Sequence, residues 1–350
     1  NYSTVFAHFF SSKGFPVKLI NPIQTNRISK AGMRKAKTDK LDSILIAGMK
    51  SYNWVKSYDY KTVSTDYLKK ICRKYDSFVK QRALIKNQLS DDLDLVFWGY
   101  NKIFKDITCK TSMYILKEFT SPEDFLKSDP NKVINSIKQF SKRSLKFARE
   151  KYELIEKKAR EALILSPNSN FKPIILPSIN IIHELDESIA SLEKEIIKLS
   201  KSNEEIKLVN SITGFGIVGS ATIISELRDP YRFSNSKQMV AFAGLDPKVF
   251  ESGKFKGNDN KITKRGSRLI RYWLFIAALT CVRKVNGKYV NKTIYDYYHK
   301  KLKEGKPKKV ALIAICSKLM KIIFAVLRDR KEFVIIDNET HCLNHSQKAA

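Results

Sequence analysis

The stretch Lys37-Thr38-Asp39-Lys40-Leu41-Asp42-Ser43 decides how the chain is read. It sets two carboxylates three residues apart in a chain of formal net charge +30. On a helix, residues three apart share a face. Asp39 and Asp42 then point the same way, and Leu41, Ile44 and Leu45 are free to turn toward a core. A hard divalent cation takes carboxylate oxygens and keeps waters and a substrate phosphate as its other ligands. Lys37 and Lys40 would sit close to such a phosphate. Taken alone, a pair of acids at this spacing is more often a solvated helix face, so the surrounding chain decides between the two.

Upstream, residues 3–13 predict a short amphipathic helix with Val5, Phe6, Phe9 and Phe10 on its apolar side, closed by Gly14. Pro16-Val17-Lys18-Leu19-Ile20-Asn21-Pro22 predicts a buried strand ended by Asn-Pro. With a second helix over residues 37–49, the order helix, strand, helix predicts an α/β unit. Residues 24–36 carry Arg27, Lys30, Arg34 and Lys35 without an acid and predict a basic loop. A loop after the C-terminal end of a strand is where α/β sheets bind ligands.

Downstream the pattern is helical. Residues 67–100 predict a long basic helix, with Asp91, Asp92 and Asp94 toward its end, which read as solvated or ion-paired acids. Residues 104–165 predict a helical insert. Ser121-Pro122-Glu123-Asp124 supplies a cap, a proline and first-turn acids for one helix. Ser141-Lys142-Arg143 opens another. Over residues 178–208, Ile182, Leu185, Ile189, Leu192, Ile196 and Leu199 alternate in steps of three and four, a coiled-coil pattern over about three heptads. Its partner is either the preceding helix or a second copy of the chain.

The third region starts at Leu208. Ser211-Ile212-Thr213-Gly214-Phe215-Gly216-Ile217 joins two helices, the second running to Leu227. A glycine-containing turn of this kind is either a tight connection or a helix-hairpin-helix element. In the second case Gly214 and Gly216 expose N–H groups at a helix start, which hold phosphate without reading sequence. Further on, Lys261, Lys264, Arg265, Arg268 and Arg271 fall within eleven positions with no acid among them. At the start of a helix over 269–285 they suit a phosphate-binding edge, against the plainer reading of a solvated face. Tyr295, Tyr297 and Tyr298 lie on another helix. Residues 310–327 are apolar enough for a core helix, and 336–350 read as a loose tail whose His341, Cys342 and His345 make a poor metal set.

Lysine and arginine outnumber the acids by 65 to 35, so a polyanion is the natural partner. Part of the lysine excess follows from a compositional bias toward Lys, Asn and Ile, but that bias does not cluster the arginines. The five cysteines share no C-x-x-C spacing, which predicts a reducing compartment without disulfides or a zinc site. We expect no membrane partner, since no run reaches roughly 18 apolar residues and no signal peptide is present. A cytoplasmic, nucleoid-associated protein is the expectation.

Taken in order, Val17 to Pro22, Lys37-Thr38-Asp39-Lys40-Leu41-Asp42, Ile212 to Glu226, Arg232-Phe233-Ser234, Ala241-Phe242-Ala243-Gly244-Leu245-Asp246-Pro247, Ser252-Gly253 and Ile262-Thr263-Lys264-Arg265-Gly266-Ser267 form a combination. It resembles the DEDD transposases of the insertion-sequence-110 type, the bridge-RNA-guided recombinases. The resemblance covers most of the chain; only the helical middle looks longer than usual. It implies a RuvC-like domain of the RNase H type with four acids, then a coiled coil, then a mostly helical transposase domain that supplies a serine. Asp39 and Asp42 match the last two acids, and Asn1-Tyr2 resembles the end of the segment that carries the family's Glu. The chain is accordingly expected to be N-terminally truncated, lacking the first Asp and the Glu, which puts its own activity in question.

The resemblance further implies Mg2+ at Asp39 and Asp42, and Ser252 as the nucleophile that forms a 5′-phosphoserine link with DNA. Ser234, Ser236 and Ser267 are the other serines near the motif. Partners implied are DNA, a guide RNA and further copies of the chain as a dimer or tetramer, with a site composite across subunits. Arg27, Arg34, Lys35 and Lys37, with Arg73, Lys74 and Arg82, are candidates for nucleic-acid backbone contact. So are Gly214, Gly216, Lys254, Lys264, Arg265, Arg268 and Arg271 in the third region. The expected fold class is α/β plus α. Its divisions are a partial RuvC-like domain at 1–66, a helical and coiled-coil insert at 67–207, a transposase domain at 208–335 and a tail at 336–350. Two other readings stand beside DNA recombination: a non-catalytic RNA- and DNA-binding scaffold, and a RuvC-like junction nuclease.

Overall fold

The computed structural model describes residues 2–20, 22–31, 38–52, 57–59, 65–165, 172–248, 251–252, 255–256 and 261–335. The chain forms two compact units, Asn1–Asp66 and Tyr67–Ala350.

In the first unit, α1 (Tyr2–Ser12) stops at Gly14, whose φ of +82° lets the Phe15 N–H turn back to the Phe10 carbonyl. Strand β1 (Lys18–Ile20) pairs antiparallel with β2 (Ser57–Asp59), Leu19 opposite Tyr58. β1 is shorter than the seven-residue run expected. The basic loop expected at 24–36 is largely a helix, α2 (Pro22–Ala31). Proline at the first helical position is pre-set for the turn and lacks only an N–H that would have no partner there, and the Thr25 hydroxyl donates to the Pro22 carbonyl. Helix α3 (Asp39–Gly48) follows and buries none of its residues. Leu41 and Ile44, expected in a core, are exposed; among the described residues of this unit only Ala7 and Met49 are buried apolar side chains.

The second unit is helical. Helix α4 (Thr65–Val96) leads into α5 (Lys110–Glu118), α6 (Pro122–Leu126), α7 (Pro130–Ser141), α8 (Leu145–Leu165) and α9 (Lys172–Ser200). Ser121 caps α6 with Pro122 at its first turn, as the sequence predicts. The helix expected to open at 141–143 opens later. Lys142 takes a left-handed φ of 53° and ends α7, and the Ser144 hydroxyl oxygen accepts from the Phe147 N–H to start α8. Then come α10 (Glu204–Asn210), α11 (Ile217–Leu227), α12 (Ser236–Phe242), the hairpin β3 (Glu251–Ser252) and β4 (Phe255–Lys256), α13 (Arg268–Cys281), the hairpin β5 (Lys284–Val285) and β6 (Lys288–Tyr289), α14 (Lys292–Lys303) and α15 (Lys308–Asp329).

Two hydrophobic cores organise this unit, and the two longest helices serve both. One core takes Leu89 and Leu93 from α4 and Ile175, Ile179 and Ile182 from α9. The other takes Leu68, Ile71 and Cys72 from the opposite end of α4 and Ile196 from α9. Between them Arg82 pairs with Asp186 and donates to the Thr108 hydroxyl. The coiled-coil stripe of α9 is thus spent on its own chain: Ile182, Leu185 and Ile196 are buried, and Ile189, Leu192 and Leu199 half-buried. Helix α15 is long and apolar enough to cross a membrane, with a mean hydropathy of 2.3, unlike the expectation of no such run. Lys318 and Lys321 interrupt the stretch in sequence. Ile315, Cys316, Met320 and Ile323 are buried in the second core, so α15 is packed as a core helix.

Candidate functional site

The segments on either side of Ser252 are fastened to each other. The Lys248 N–H donates to the Lys261 carbonyl at 2.8 Å, Thr263 N–H to the Asp246 carbonyl at 2.8 Å, and Lys264 N–H to the Gly244 carbonyl at 3.1 Å. The Thr263 hydroxyl also donates to the Asp246 carboxylate at 2.6 Å. Below this pairing two glycines cross backbone on backbone. A Cβ on Gly266 would lie 1.8 Å from the Phe242 carbonyl oxygen, and one on Gly244, at φ +69°, would lie 2.6 Å from the Gly266 nitrogen. In sequence the β3–β4 hairpin, with Ser252 opposite Phe255, lies between these two fastened segments. Gly253 and Lys254 lie outside the described residues.

The other serines near the motif serve local structure. The backbone N–H of Ser234 donates to Gln238, Ser236 is the first residue of α12, and the Ser267 hydroxyl oxygen accepts from the Ile270 N–H as the cap of α13.

The basic run divides into two groups. Lys264 and Arg265 are exposed at the foot of the hairpin. Arg271, expected on nucleic acid, instead ties the base together: its Nη1 donates to the carbonyls of Ala243 at 2.9 Å and Gly266 at 2.8 Å. Arg268 reaches Asp76 on α4 at 3.2 Å. Behind them lies a carboxylate that reading the sequence missed. Glu226, its side chain 3% exposed, takes a two-pronged bond from Arg73, at 2.7 Å and 3.1 Å, and lies 3.5 Å from Lys69. Burial alone would push the Glu226 carboxyl up. The Arg73 hydrogen bond and the Lys69 charge outweigh it, with help from Ser267, and hold the group below the usual carboxylate range. Burial draws Lys69 below the ordinary lysine range against the pull of Glu226. The available signal was a single acid inside the apolar run of α11, with Lys69 and Arg73 four residues apart on α4. Arg73 and Arg82, candidate nucleic-acid contacts, are therefore engaged within the fold, while Lys74 lies over the Phe78 ring at 4.5 Å.

Helices α10 and α11 do form a hairpin, and its two glycines differ. Gly214, at φ +100°, packs against α13, where a Cβ would meet Cys281 Sγ at 2.7 Å and the Ala277 carbonyl oxygen at 2.8 Å. Gly216 is exposed, starts α11 without a side-chain cap, and has open space where a Cβ would go. Of the pair, Gly216 is the more exposed and Gly214 is half-buried.

In the first unit, Thr38 caps α3 by accepting the Leu41 N–H at 3.3 Å, and Asp39 and Asp42 fill the first turn. Asp39 is exposed and Asp42 half-buried. Two carboxylates on one turn match the donors magnesium takes when it keeps waters and phosphate oxygens. Among the described residues no third acid, histidine or cysteine joins them. The one three-residue cluster of that kind is His183, Glu184 and Glu187, exposed on α9. Arg27 is exposed on α2, and Arg34, Lys35 and Lys37 lie outside the described residues.

Comparison with known proteins gives two family matches. Residues 206–299 match the family described as Transposase IS116/IS110/IS902, and residues 1–98 match a transposase family of the DEDD IS110 group. The chain is 21% identical over 332 residues to an uncharacterized protein of insertion element IS116 from Streptomyces clavuligerus, covering 95% of this chain and 81% of that one. It is 31% identical over 153 residues to the transposase for insertion sequence element IS1111A of Coxiella burnetii, covering 42% of this chain and 40% of the other. It is 29% identical over 159 residues to a pilin gene-inverting protein of Moraxella bovis, with 44% of this chain and 47% of the other covered.

Proposed function

Because the chain belongs to the IS116/IS110/IS902 family of transposases, we propose that it cuts and rejoins DNA through Ser252, with Asp39 and Asp42 as metal ligands and a guide RNA choosing the sites. The reading rests most on the mounting of Ser252. Among the serines near the motif, it sits on a hairpin whose base is locked by the Gly244–Gly266 crossing and the Asp246–Thr263 bond. Fastened segments on both sides of a short hairpin limit the reach of a nucleophile it carries, and placement relative to a phosphate is the main requirement for an in-line displacement. In that step the Ser252 oxygen bonds to phosphorus, the bond from phosphorus to the 3′ oxygen breaks, and a 5′-phosphoserine link results. Magnesium, when bound at Asp39 and Asp42, would stabilise charge on the attacking and leaving oxygens. Lys264 and Arg265, exposed at the foot of the hairpin, would hold the neighbouring phosphates. The exposed start of α11 at Gly216 adds a sequence-independent phosphate contact.

A chain that delegates sequence choice to base pairing needs positive charge rather than base-reading side chains, and a net charge of +30 suits that division of labour. The pilin gene-inverting relative carries DNA inversion in its name, and inversion is one outcome of the same cut-and-rejoin chemistry. In the proposed division, residues 1–66 carry the acids, 67–207 the helical spacer and 208–335 the serine, and two or more copies act together.

The test is capture of a covalent protein–DNA adduct in the presence of the element's DNA ends and RNA. Ser252→Ala should abolish the adduct and keep DNA binding. An adduct that persists in that variant overturns the serine assignment. Binding with no adduct from the unaltered chain favours the scaffold reading instead.

A further inference from the structure

Helices α4, α5, α7 and α8 and the turn after α4 line an open cleft of about 720 Å3; apart from Lys86, its lining residues fall between the two family matches. That volume lies in the range of ligand-holding clefts. Its walls carry the cations Lys86, Lys105, Lys110, Arg143 and Lys151 and one acid, Asp106. The acid is already engaged: it accepts from Lys86 at 2.8 Å and from the Thr108 N–H and hydroxyl. Lys105, Lys110 and Arg143 are exposed and have no carboxylate within 4 Å among the described residues. Three such cations around one hollow repel one another, and a polyanion would relieve that repulsion.

The cleft also contains aromatic rings. Arg143 sits over the Phe147 ring at 4.9 Å and Lys151 over Phe104 at 5.5 Å, so charge and ring face are presented together. Phe140, at the rim, is stacked on Tyr114 with centroids 4.3 Å apart and is still 38% exposed. Lys151 is held in place by the Ile103 carbonyl. The first turn of α5 borders the same space, with Cys109 capping none of its N–H groups.

From this juxtaposition we propose that the cleft binds an unpaired nucleic-acid strand, with Lys105, Lys110 and Arg143 on consecutive phosphates and Phe140 as the platform for one base. Cations tracking a backbone beside exposed rings is how unpaired strands are held. A duplex offers no free base face to Phe140. The site is independent of the strand-joining chemistry proposed above, since a chain with no nucleophile would still hold a strand here.

The experiment measures fluorescence anisotropy of the whole chain with labelled single-stranded RNA, single-stranded DNA and duplex DNA, each about twelve nucleotides long, within the range of known single-strand sites. The variant Lys105→Ala/Lys110→Ala/Arg143→Ala is set against Lys308→Ala/Lys309→Ala/Lys331→Ala, which removes equal charge from exposed positions outside the cleft. We expect the first to lose about tenfold in single-strand affinity at near-physiological salt, with a shallower salt dependence, and the second to change little. Phe140→Ala should lose about fivefold or more. Photocrosslinking of an iodouridine-bearing strand to the unaltered chain should mark peptides within 103–111 or 140–151. Preference for RNA or for DNA identifies the source of the strand. Equal loss in the two triple variants, an equal loss for duplex, no effect of Phe140→Ala, or crosslinks confined to other peptides overturns the proposal.

Discussion

Helix α3 starts behind Thr38 and helix α13 behind Ser267, and each hydroxyl accepts the N–H three residues on. Both starts carry the charged residues of the motif, acidic in α3 and basic in α13. Their support differs. Helix α13 buries Leu269, Ile270, Leu274, Ala277, Ala278 and Cys281, and Arg271 holds two carbonyls of the glycine crossing. Helix α3 buries nothing, and Asp39 and Asp42 pair with no cation among the described residues. Where charge is woven into the packing, removing it costs fold. Where it is not, removing it costs only what the charge does for a ligand. Side chains that fold stability does not require are therefore the better candidates for chemistry, and by that standard Asp39, Asp42, Lys264 and Arg265 rank above Arg271 and Arg73.

The sharpest test of the supported side is Gly266→Ala. The added methyl would press on the Phe242 oxygen, the Ala243 carbon and the Gly244 nitrogen, all backbone atoms with no side chain to swing aside. We expect a loss of about 3–5 kcal/mol, read by urea denaturation with circular dichroism. A loss below about 1 kcal/mol would mean that the crossing yields easily, and with it the rigid base under Ser252.

Next is Glu226→Gln, which leaves Arg73 and Lys69 facing a neutral amide. Removing one partner of a buried pair costs about 3–5 kcal/mol. Arg73 is half-exposed here, so about 2 kcal/mol is expected. The pH dependence has a definite sign. The folded Glu226 carboxyl lies below its unfolded value, so its contribution is present above about pH 4.3 and fades as pH falls through the depressed value. Unaltered protein should lose stability over that acid window and Glu226→Gln should lose less. Parallel pH curves for the two proteins would remove Glu226 from the account.

These two residues also mark what the sequence made legible. Helices with strong local signals were readable: Ser121-Pro122 starts α6, and the apolar run of 310–327 falls within α15. The motif segments 241–247 and 262–267 were visible as a pair in chain order, but nothing in their residues said that Gly244 and Gly266 touch. A glycine needed for close approach looks in sequence like a glycine needed for a turn. Glu226 was hidden for a similar reason, since its partners lie more than 150 residues away on α4. The expected basic loop at 24–36 differs from the structure because a stretch without acids or strong apolar periodicity carries no helix signal of its own, while Pro22 supplies a helix start. The apolar spacing of α9 fixed a helix with one packing face and left open which surface it met; here two cores of its own chain take it.

Ser267→Ala removes the cap of α13 and the hydroxyl that helps hold the Glu226 carboxyl below its usual range. A lost cap is worth about 1 kcal/mol, and hydrogen exchange at the first amides of α13 should report it. Ser267→Gly is the milder change for the helix start, because glycine is tolerated at a cap, yet it loses the hydroxyl's effect on Glu226 equally. Comparing the two variants therefore separates capping from the effect on Glu226.

The smallest stability effect is expected for Asp39→Asn and Asp42→Asn. Acids in a first turn gain about 0.3–1 kcal/mol from the helix dipole when exposed, and asparagine retains part of that through its own dipole, so about 0.5 kcal/mol or less is at stake in each. Exchange rates over residues 39–48 should barely move. The same substitutions should abolish covalent adduct formation, because an amide oxygen is a far weaker ligand for magnesium than a carboxylate. A melted α3 in either variant would show that the acids serve the fold after all, and the contrast with α13 would fail. Full adduct formation with α3 intact would separate the acids from the chemistry and leave Ser252 to be activated by other groups.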